Sequence, residues 1–142
     1  MPKILIPVDA SEQALKVIAA VIKRNGWYKA PAEIHLLNVQ HAAHQDVAQF
    51  VNHEELQKFH REEGLKALLP AKAALAAAGL EAELHVLIND RPDVAIVHFA
   101  REKGFDEICM GSHGRGTVSQ LLLGSVAADV ARSTDIPVTL VR

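Results

Sequence analysis

Short, almost continuous apolar runs recur along the chain, separated by longer stretches in which apolar residues return every three or four positions. Runs of this kind, rich in Val, Ile and Leu, are typical of strands buried in a parallel sheet. The predicted strands cover residues 3–8, 33–39, 83–88, 108–110 and 136–141. Pro137, near the start of the last run, favours an edge position for that strand.

The stretches between the strands have the periodicity of amphipathic helices. The predicted helices cover residues 14–25, 53–78, 92–103 and 125–133. Gly26, Gly79 and Gly104 follow three of them and provide stop signals. Pro70 lies inside the second helix and lacks a backbone donor, so we expect it to kink or split that helix.

Strands that alternate with helices in this way predict an α/β fold. Because crossovers between parallel strands are right-handed, the order predicts an open five-stranded parallel sheet with helices on both faces. A length of 142 residues suits one domain over residues 1–142, and neither an internal repeat nor a linker interrupts the pattern.

Composition narrows the function classes. A net charge of −2 and an aromatic content of 4% provide neither a basic face nor stacking platforms, so nucleic acid is not an expected partner. The single cysteine, Cys109, lies in an apolar run and is expected to be an inert core residue. Neither a membrane-spanning apolar run nor a signal-peptide pattern is present, so we expect a cytoplasmic protein without a membrane partner.

The strongest chemical signal is a glycine-rich segment between the fourth strand and the last helix. Gly111, Gly114 and the pair Gly124-Ser125 lie within it. Glycines let a backbone approach a phosphate closely, and unpaired amides at a helix N-terminus donate to it. The segment predicts an anion site, although a glycine-rich turn that binds nothing remains the alternative. It lacks the lysine of a P-loop and the second half of a dinucleotide fingerprint.

Two starting points compete for the last helix. Thr117 and Gln120 have capping-box spacing, which would begin the helix near Val118. Ser125 can instead cap a helix that begins beside Gly124, and we favour this second start. A phosphate resting against the Gly124 amide, or close helix packing, would explain a glycine at this place.

Asp9 is the candidate acidic residue of the site. It can form a capping box with Glu12, and Ser11 is a second possible cap. However, Asp9 also lies at the carboxyl end of the first strand, and open α/β sheets bind their ligands at that end of the strands. The eight histidines show no cysteine or tight carboxylate cluster beside them, so they do not predict a structural metal site.

The order of these elements and the glycine spacing resemble the universal stress protein family over essentially the whole chain. The resemblance is carried by residues 4–12, 106–112, 111–125 and 137–141. It implies a Rossmann-like fold of the adenine nucleotide alpha hydrolase type, and family members with this glycine spacing are typically ATP-binding. Two departures are Ala10, where the family often has glycine, and the turn 89–92, which often carries glycine in the family.

The resemblance also implies roles for individual residues. Asp9 would contact ribose or phosphates, the backbone of Val39 would meet adenine, and the glycine-rich segment would hold the phosphates. The complete set of implied nucleotide-binding residues is Pro7, Val8, Asp9, Val39, Met110, Gly111, His113, Gly114, Arg115, Gly124, Ser125 and Val126.

Three functions are therefore compatible with the sequence. The first is a stress-response regulatory protein that binds ATP, and the second is a slow ATP hydrolase in which Mg²⁺ or Mn²⁺ bridges the phosphates, with Asp9 as a possible ligand. The third is an interaction module without a nucleotide. The resemblance also implies a homodimer in which the C-terminal strands pair across a two-fold axis.

Overall fold

The computed structural model describes residues 1–42, 52–112 and 123–142. Strands and helices alternate along these residues as the apolar pattern predicts. The elements are β1 Lys3–Pro7, α1 Gln13–Asn25, β2 Glu33–Gln40, α2 His53–Ala77, β3 Ala82–Ile88, α3 Pro92–Glu102, β4 Glu107–Gly111, α4 Ser125–Ser133 and β5 Val138–Val141.

The strands form a parallel five-stranded sheet in the order β3-β2-β1-β4-β5. The predicted sheet is confirmed, and β5 lies at its edge as Pro137 indicated. From β1 the sheet is extended in one direction by β2 and β3 and in the other by β4 and β5, so the strand order reverses between β1 and β4. In that pair, Ile4 lies opposite Glu107 and Leu5 opposite Ile108. In α/β sheets, a crevice opens beyond the carboxyl ends of the two strands at such a reversal.

Each face of the sheet carries its own apolar core. Helices α1 and α2 cover one face, where Val17 and Leu68 pack with Ile6. Helices α3 and α4 cover the other face, where Phe99 and Val130 pack with Leu5. Because side chains alternate along a strand, the neighbours Leu5 and Ile6 serve opposite cores, and the prediction of helices on both faces is confirmed.

Helix α2 shows how packing overrides a local signal. It runs unbroken from His53 to Ala77 with Pro70 inside it, so of the two predicted outcomes, a kink or a split, the split is wrong. Gly64 lies in the same helix against β3. A Cβ atom added there would lie 2.4 Å from Val86 Cγ1, so Gly64 allows the close approach of α2 to the sheet.

Cys109 lies in β4 with no exposed surface. Burial raises the pKa of its thiol to about 11, so the residue stays protonated near neutral pH and fits the inert core role predicted for it. Among the described residues, no helix is both long and apolar enough to cross a bilayer.

Candidate functional site

A cavity of about 540 Å³ opens beyond the carboxyl ends of β1, β2 and β4, beside the start of α4. Its volume is in the range of pockets that hold cofactors. The predicted site residues that the structure describes all line it: Pro7, Val8, Asp9, Val39, Met110, Gly111, Gly124, Ser125 and Val126. His113, Gly114 and Arg115, together with the capping pair Thr117 and Gln120, lie outside the described residues.

The backbone of Val39 faces this cavity because β2 extends further than β1. The Val8 amide donates to the Leu37 carbonyl, whereas the Gln40 carbonyl accepts from Asn89 on the side of β3. Backbone groups of successive residues point to alternate sides of a strand. The N–H and C=O of Val39 therefore point to the same side as those of Leu37, but at a level where β1 has ended.

Asn38 fixes the end of β1 beside this edge. Its side chain is buried, and its Nδ2 donates to the Val8 carbonyl across 2.7 Å. Its Oδ1 accepts from Gln40 Nε2, also at 2.7 Å, so both ends of the amide have partners. The hydrophobic pattern did not single out Asn38, because a single polar residue in a buried strand leaves the strand prediction unchanged. Its role depends on the neighbouring strand.

Asp9 does not cap α1. Its Oδ1 accepts from the backbone N–H of Ser11 at 3.0 Å and from the Ser11 hydroxyl. The N-cap residue of α1 is Glu12, and no side chain donates or accepts a capping bond there. Both predicted caps, the Asp9–Glu12 box and Ser11, are therefore wrong, and Asp9 instead stabilises the turn that lines the cavity.

Ala10 occupies a left-handed backbone conformation in this turn, with φ of 67°. Such a conformation is costly for a residue with a Cβ atom and free of that cost for glycine. The departure noted in the sequence, Ala10 in place of glycine, thus falls where the backbone favours glycine. Strain of this kind commonly marks functional turns.

The N-terminus of α4 closes the cavity on the side of β4. The helix begins at Ser125, as predicted, and its N-cap is Gly124, not Ser125. The first helical bond runs from the Ala128 amide to the Gly124 carbonyl. The amides of Ser125, Val126 and Ala127 precede that bond, so the helix itself gives them no acceptor. Donors at this end attract anions.

The Gly124 amide is not one of these available donors. It donates to the Ser112 carbonyl at 2.6 Å. The idea that a phosphate rests against the Gly124 amide is therefore wrong for this conformation. The hydrogen bond instead joins the start of α4 to the end of β4.

The charged residues of the cavity wall are mainly acidic. Asp9 and Glu63 line it, and the described part of the wall contains neither lysine nor arginine. Apolar residues that also line the cavity include Val17, Ile96 and Met110. In place of a lysine or arginine, the wall offers an anion the backbone amides and the Ser125 hydroxyl at the start of α4, and a divalent cation would offset the repulsion from Asp9.

Comparison with known proteins finds relatives that match this chain over nearly its whole length and theirs. It is 30% identical to the universal stress protein YxiE of Bacillus subtilis, over 99% of this chain and 98% of that protein. The solved structure of MJ0577, from Methanocaldococcus jannaschii, has a TM-score of 0.79 and 30% identity, covering 99% of this chain and 94% of that one.

A more distant solved relative is the universal stress protein of Archaeoglobus fulgidus in complex with dAMP. It has a TM-score of 0.66 and 21% identity, covers 100% of this chain and 98% of that one, and shares the fold. The model of the universal stress protein family matches residues 1–142. With the sheet order, the crevice and these matches together, the chain belongs to the universal stress protein family.

Proposed function

We propose that this protein binds ATP with a divalent cation in the cavity beyond β1, β2 and β4. The observation that carries the proposal is the convergence of the Asp9 carboxylate, the Val39 backbone edge and the α4 amides on one cavity. Each group suits one part of an adenine nucleotide. The Val39 edge can hydrogen-bond the base, the Asp9 carboxylate can accept from the ribose hydroxyls, and the α4 amides can donate to the phosphates.

The base fits at Val39. A backbone N–H and C=O that point to the same side form the donor–acceptor pair that the Watson–Crick edge of adenine complements. Val8 and Ile96 provide apolar surface beside this edge. The protein of Archaeoglobus fulgidus with this fold, solved with dAMP, adds support from a relative.

The phosphates fit at α4. Ser125 and Val126 offer main-chain donors and Ser125 a hydroxyl, while the helix dipole favours negative charge at this end. Because Asp9 and Glu63 share the cavity, Mg²⁺ or Mn²⁺ bound to the phosphates would make the complex tighter. His113, Gly114 and Arg115 remain predicted phosphate contacts from the sequence.

Isothermal titration with ATP tests this function, carried out with Mg²⁺, with Mn²⁺ and with EDTA. We expect one site per chain, weaker binding of ATP in EDTA, and a lower affinity for GTP because its base edge has donors and acceptors reversed. No heat of binding under any of these conditions would favour an interaction module without a nucleotide.

Binding is proposed in preference to hydrolysis. The described cavity wall lacks a lysine or arginine that would stabilise charge on a transferring phosphoryl group, and the glycine-rich segment lacks the P-loop lysine, which leaves Arg115 as its predicted cationic contact. Slow hydrolysis is measured as phosphate release by the wild type above that of Gly111→Val and Asp9→Ala. Release well above both controls would assign the protein to the slow ATPases instead.

We also propose a homodimer formed through β5. The Val141 carbonyl accepts from Ser112 and the Pro137 carbonyl from Ile108, so by alternation Leu140 directs its backbone groups away from β4. An unpaired strand edge is suited to pairing with a second copy. Sedimentation of Leu140→Pro should show a monomer where the wild type is a dimer, and a dimeric variant would place the interface elsewhere.

The cytoplasmic location remains a prediction from the sequence.

A further inference from the structure

A second cluster of polar side chains lies at the other end of the sheet, near the amino ends of β2 and β3. His35 of β2 stands opposite Glu83 of β3 in the strand register, and His85 follows two residues later on the same face. His35 Nδ1 lies 2.8 Å from His85 Nε2 and 3.5 Å from a Glu83 carboxylate oxygen. His85 Nε2 lies 3.8 Å from that oxygen.

We propose that His35, Glu83 and His85 bind a Zn²⁺ ion, separate from the nucleotide cavity. The ligand atoms would be His35 Nδ1, His85 Nε2 and one oxygen of Glu83. The three ligand atoms lie 2.8, 3.5 and 3.8 Å from one another, close enough to share one zinc ion. The two imidazole nitrogens face each other along their hydrogen bond, so both rings would turn to direct their lone pairs at the ion. Two histidines and a glutamate are an established ligand set for zinc.

A fourth side chain sets the tautomer that this site requires. His35 Nε2 lies 2.7 Å from a Glu33 carboxylate oxygen, so it carries the proton and donates it to Glu33. His35 Nδ1 then has its lone pair toward the cluster. Carboxylates that hold the second nitrogen of a ligand histidine in this way are a regular feature of zinc sites.

In the metal-free state, the short contact between the two imidazoles is a hydrogen bond in which His85 Nε2 donates to His35 Nδ1. Zinc would take the place of that shared proton, and His85 would carry its proton on Nδ1.

One side of the proposed zinc site is packed against aromatic rings, and the other side is open to solvent. The His35 and His85 rings are nearly parallel and meet end to end through their nitrogens; the His35 ring also meets the edge of Phe105, while His85 lies against Phe99. Glu83, whose side chain is 70% exposed, stands on the solvent side. A fourth position for a water molecule is therefore available there, as in zinc sites with three protein ligands.

Nearby charges are close to balanced. Lys103 and Lys3 oppose a cation at His85, whereas Glu33 and Glu83 favour it. The Lys3 ammonium is directed to other partners, because it donates to the Lys103 carbonyl at 2.7 Å and lies over the Phe105 ring. Of the two carboxylates, Glu83 faces both imidazoles and Glu33 bonds to His35 Nε2.

Zinc titration in competition with a chromophoric chelator tests the site, using the tag-free, nucleotide-free full chain. We expect one tight equivalent of Zn²⁺ in the wild type and its loss in His85→Gln. Glu33→Gln should bind zinc about tenfold more weakly, the usual effect of removing such a supporting carboxylate. His98→Gln is the matched control, because His98 is exposed and pairs with Glu102 at 2.9 Å on the outer side of α3.

Glu83→Gln keeps the test valid if His85→Gln folds poorly, since the exposed Glu83 is not needed for the core. Zinc should raise the melting temperature of the wild type and of His98→Gln, and leave that of Glu83→Gln nearly unchanged. The proposal is overturned if the wild type binds no tight equivalent. It is also overturned if Glu83→Gln binds zinc as tightly as the wild type and the His98→Gln control do.

Discussion

The backbone amide of Gly124 donates to the Ser112 carbonyl across 2.6 Å, which fixes the N-terminus of α4 to the carboxyl end of β4. The bond removes one donor from the cavity and positions three others, those of Ser125, Val126 and Ala127. A main-chain bond of this kind needs no particular side chain at either residue. The anion site proposed here is therefore held in place by backbone geometry.

Ala10→Gly should stabilise the protein. With φ of 67°, Ala10 pays a cost of about 1–2 kcal/mol that glycine avoids, partly offset by the greater freedom of glycine in the unfolded chain. We expect a net gain of about 0.5–1 kcal/mol in the free energy of unfolding, measured by urea titration. Ala78→Gly is the control, since Ala78 has φ of −94° and should lose stability. A loss of stability in Ala10→Gly would contradict the strained conformation.

Asn38→Ala should weaken both folding and ATP binding. The substitution leaves the buried Val8 carbonyl without its side-chain donor, at a cost of about 1–3 kcal/mol. It also frees the end of β1 beside Val39. Asn25→Ala is the control, because Asn25 accepts from the Ala32 amide far from the cavity. Denaturant titration and calorimetry should show reduced stability in both variants and reduced ATP affinity in Asn38→Ala alone. Equal ATP affinities would remove Asn38 from the site.

Gly64→Ala should destabilise the fold although alanine is the better helix former. The new methyl group would lie 2.4 Å from Val86 Cγ1, and overpacking of this kind costs about 1–3 kcal/mol, against a gain of about 1 kcal/mol in helix propensity. Adding Val86→Ala should recover part of the loss. Gly26→Ala, whose nearest contact is 3.9 Å away, should be tolerated. Thermal unfolding of the wild type, Gly64→Ala, Val86→Ala, the double variant and Gly26→Ala decides this, and additive effects of the Gly64 and Val86 substitutions would argue against the contact.

Acid should weaken the start of α3. The hydrogen bond from Arg91 holds the pKa of Asp93 below its ordinary value. A carboxyl whose folded pKa is depressed contributes stability above its unfolded pKa, and this is lost as pH falls through the folded value. Because Arg91 is largely exposed, solvent screens the pair and its contribution to stability is small. Asp93→Asn should reduce the loss of stability below about pH 4. If the wild type and Asp93→Asn lose stability equally as the pH falls, the Arg91–Asp93 interaction does not contribute.

Periodicity was sufficient to predict the elements and the sheet, because the buried strands are apolar throughout and the helices have one apolar face. Two predictions from short local motifs were wrong. Pro70 lies in a helix that packing keeps continuous, and Asp9 bonds to Ser11 instead of capping α1.

Within the candidate site, only the residues with a local signal in the sequence were predicted. The residues around Asp9 and Ser125 were found because a carboxyl strand end and a helix start are local features. Asn38 and the His35–Glu83–His85 cluster were missed, since only the register of β2 against its neighbours brings their partners together.

The most direct test of ATP binding at α4 is calorimetry of Ser125→Pro. Proline suits the first position of a helix, and Gly124 before it has the extended conformation that a following proline requires, with φ of −60° and ψ of 150°. The substitution therefore removes an amide donor and a hydroxyl while keeping α4. His53→Pro makes the same change at the start of α2, where Asn52 is also extended. We predict at least a tenfold loss of ATP affinity for Ser125→Pro and none for His53→Pro, whereas equal affinities in both would contradict phosphate binding at α4.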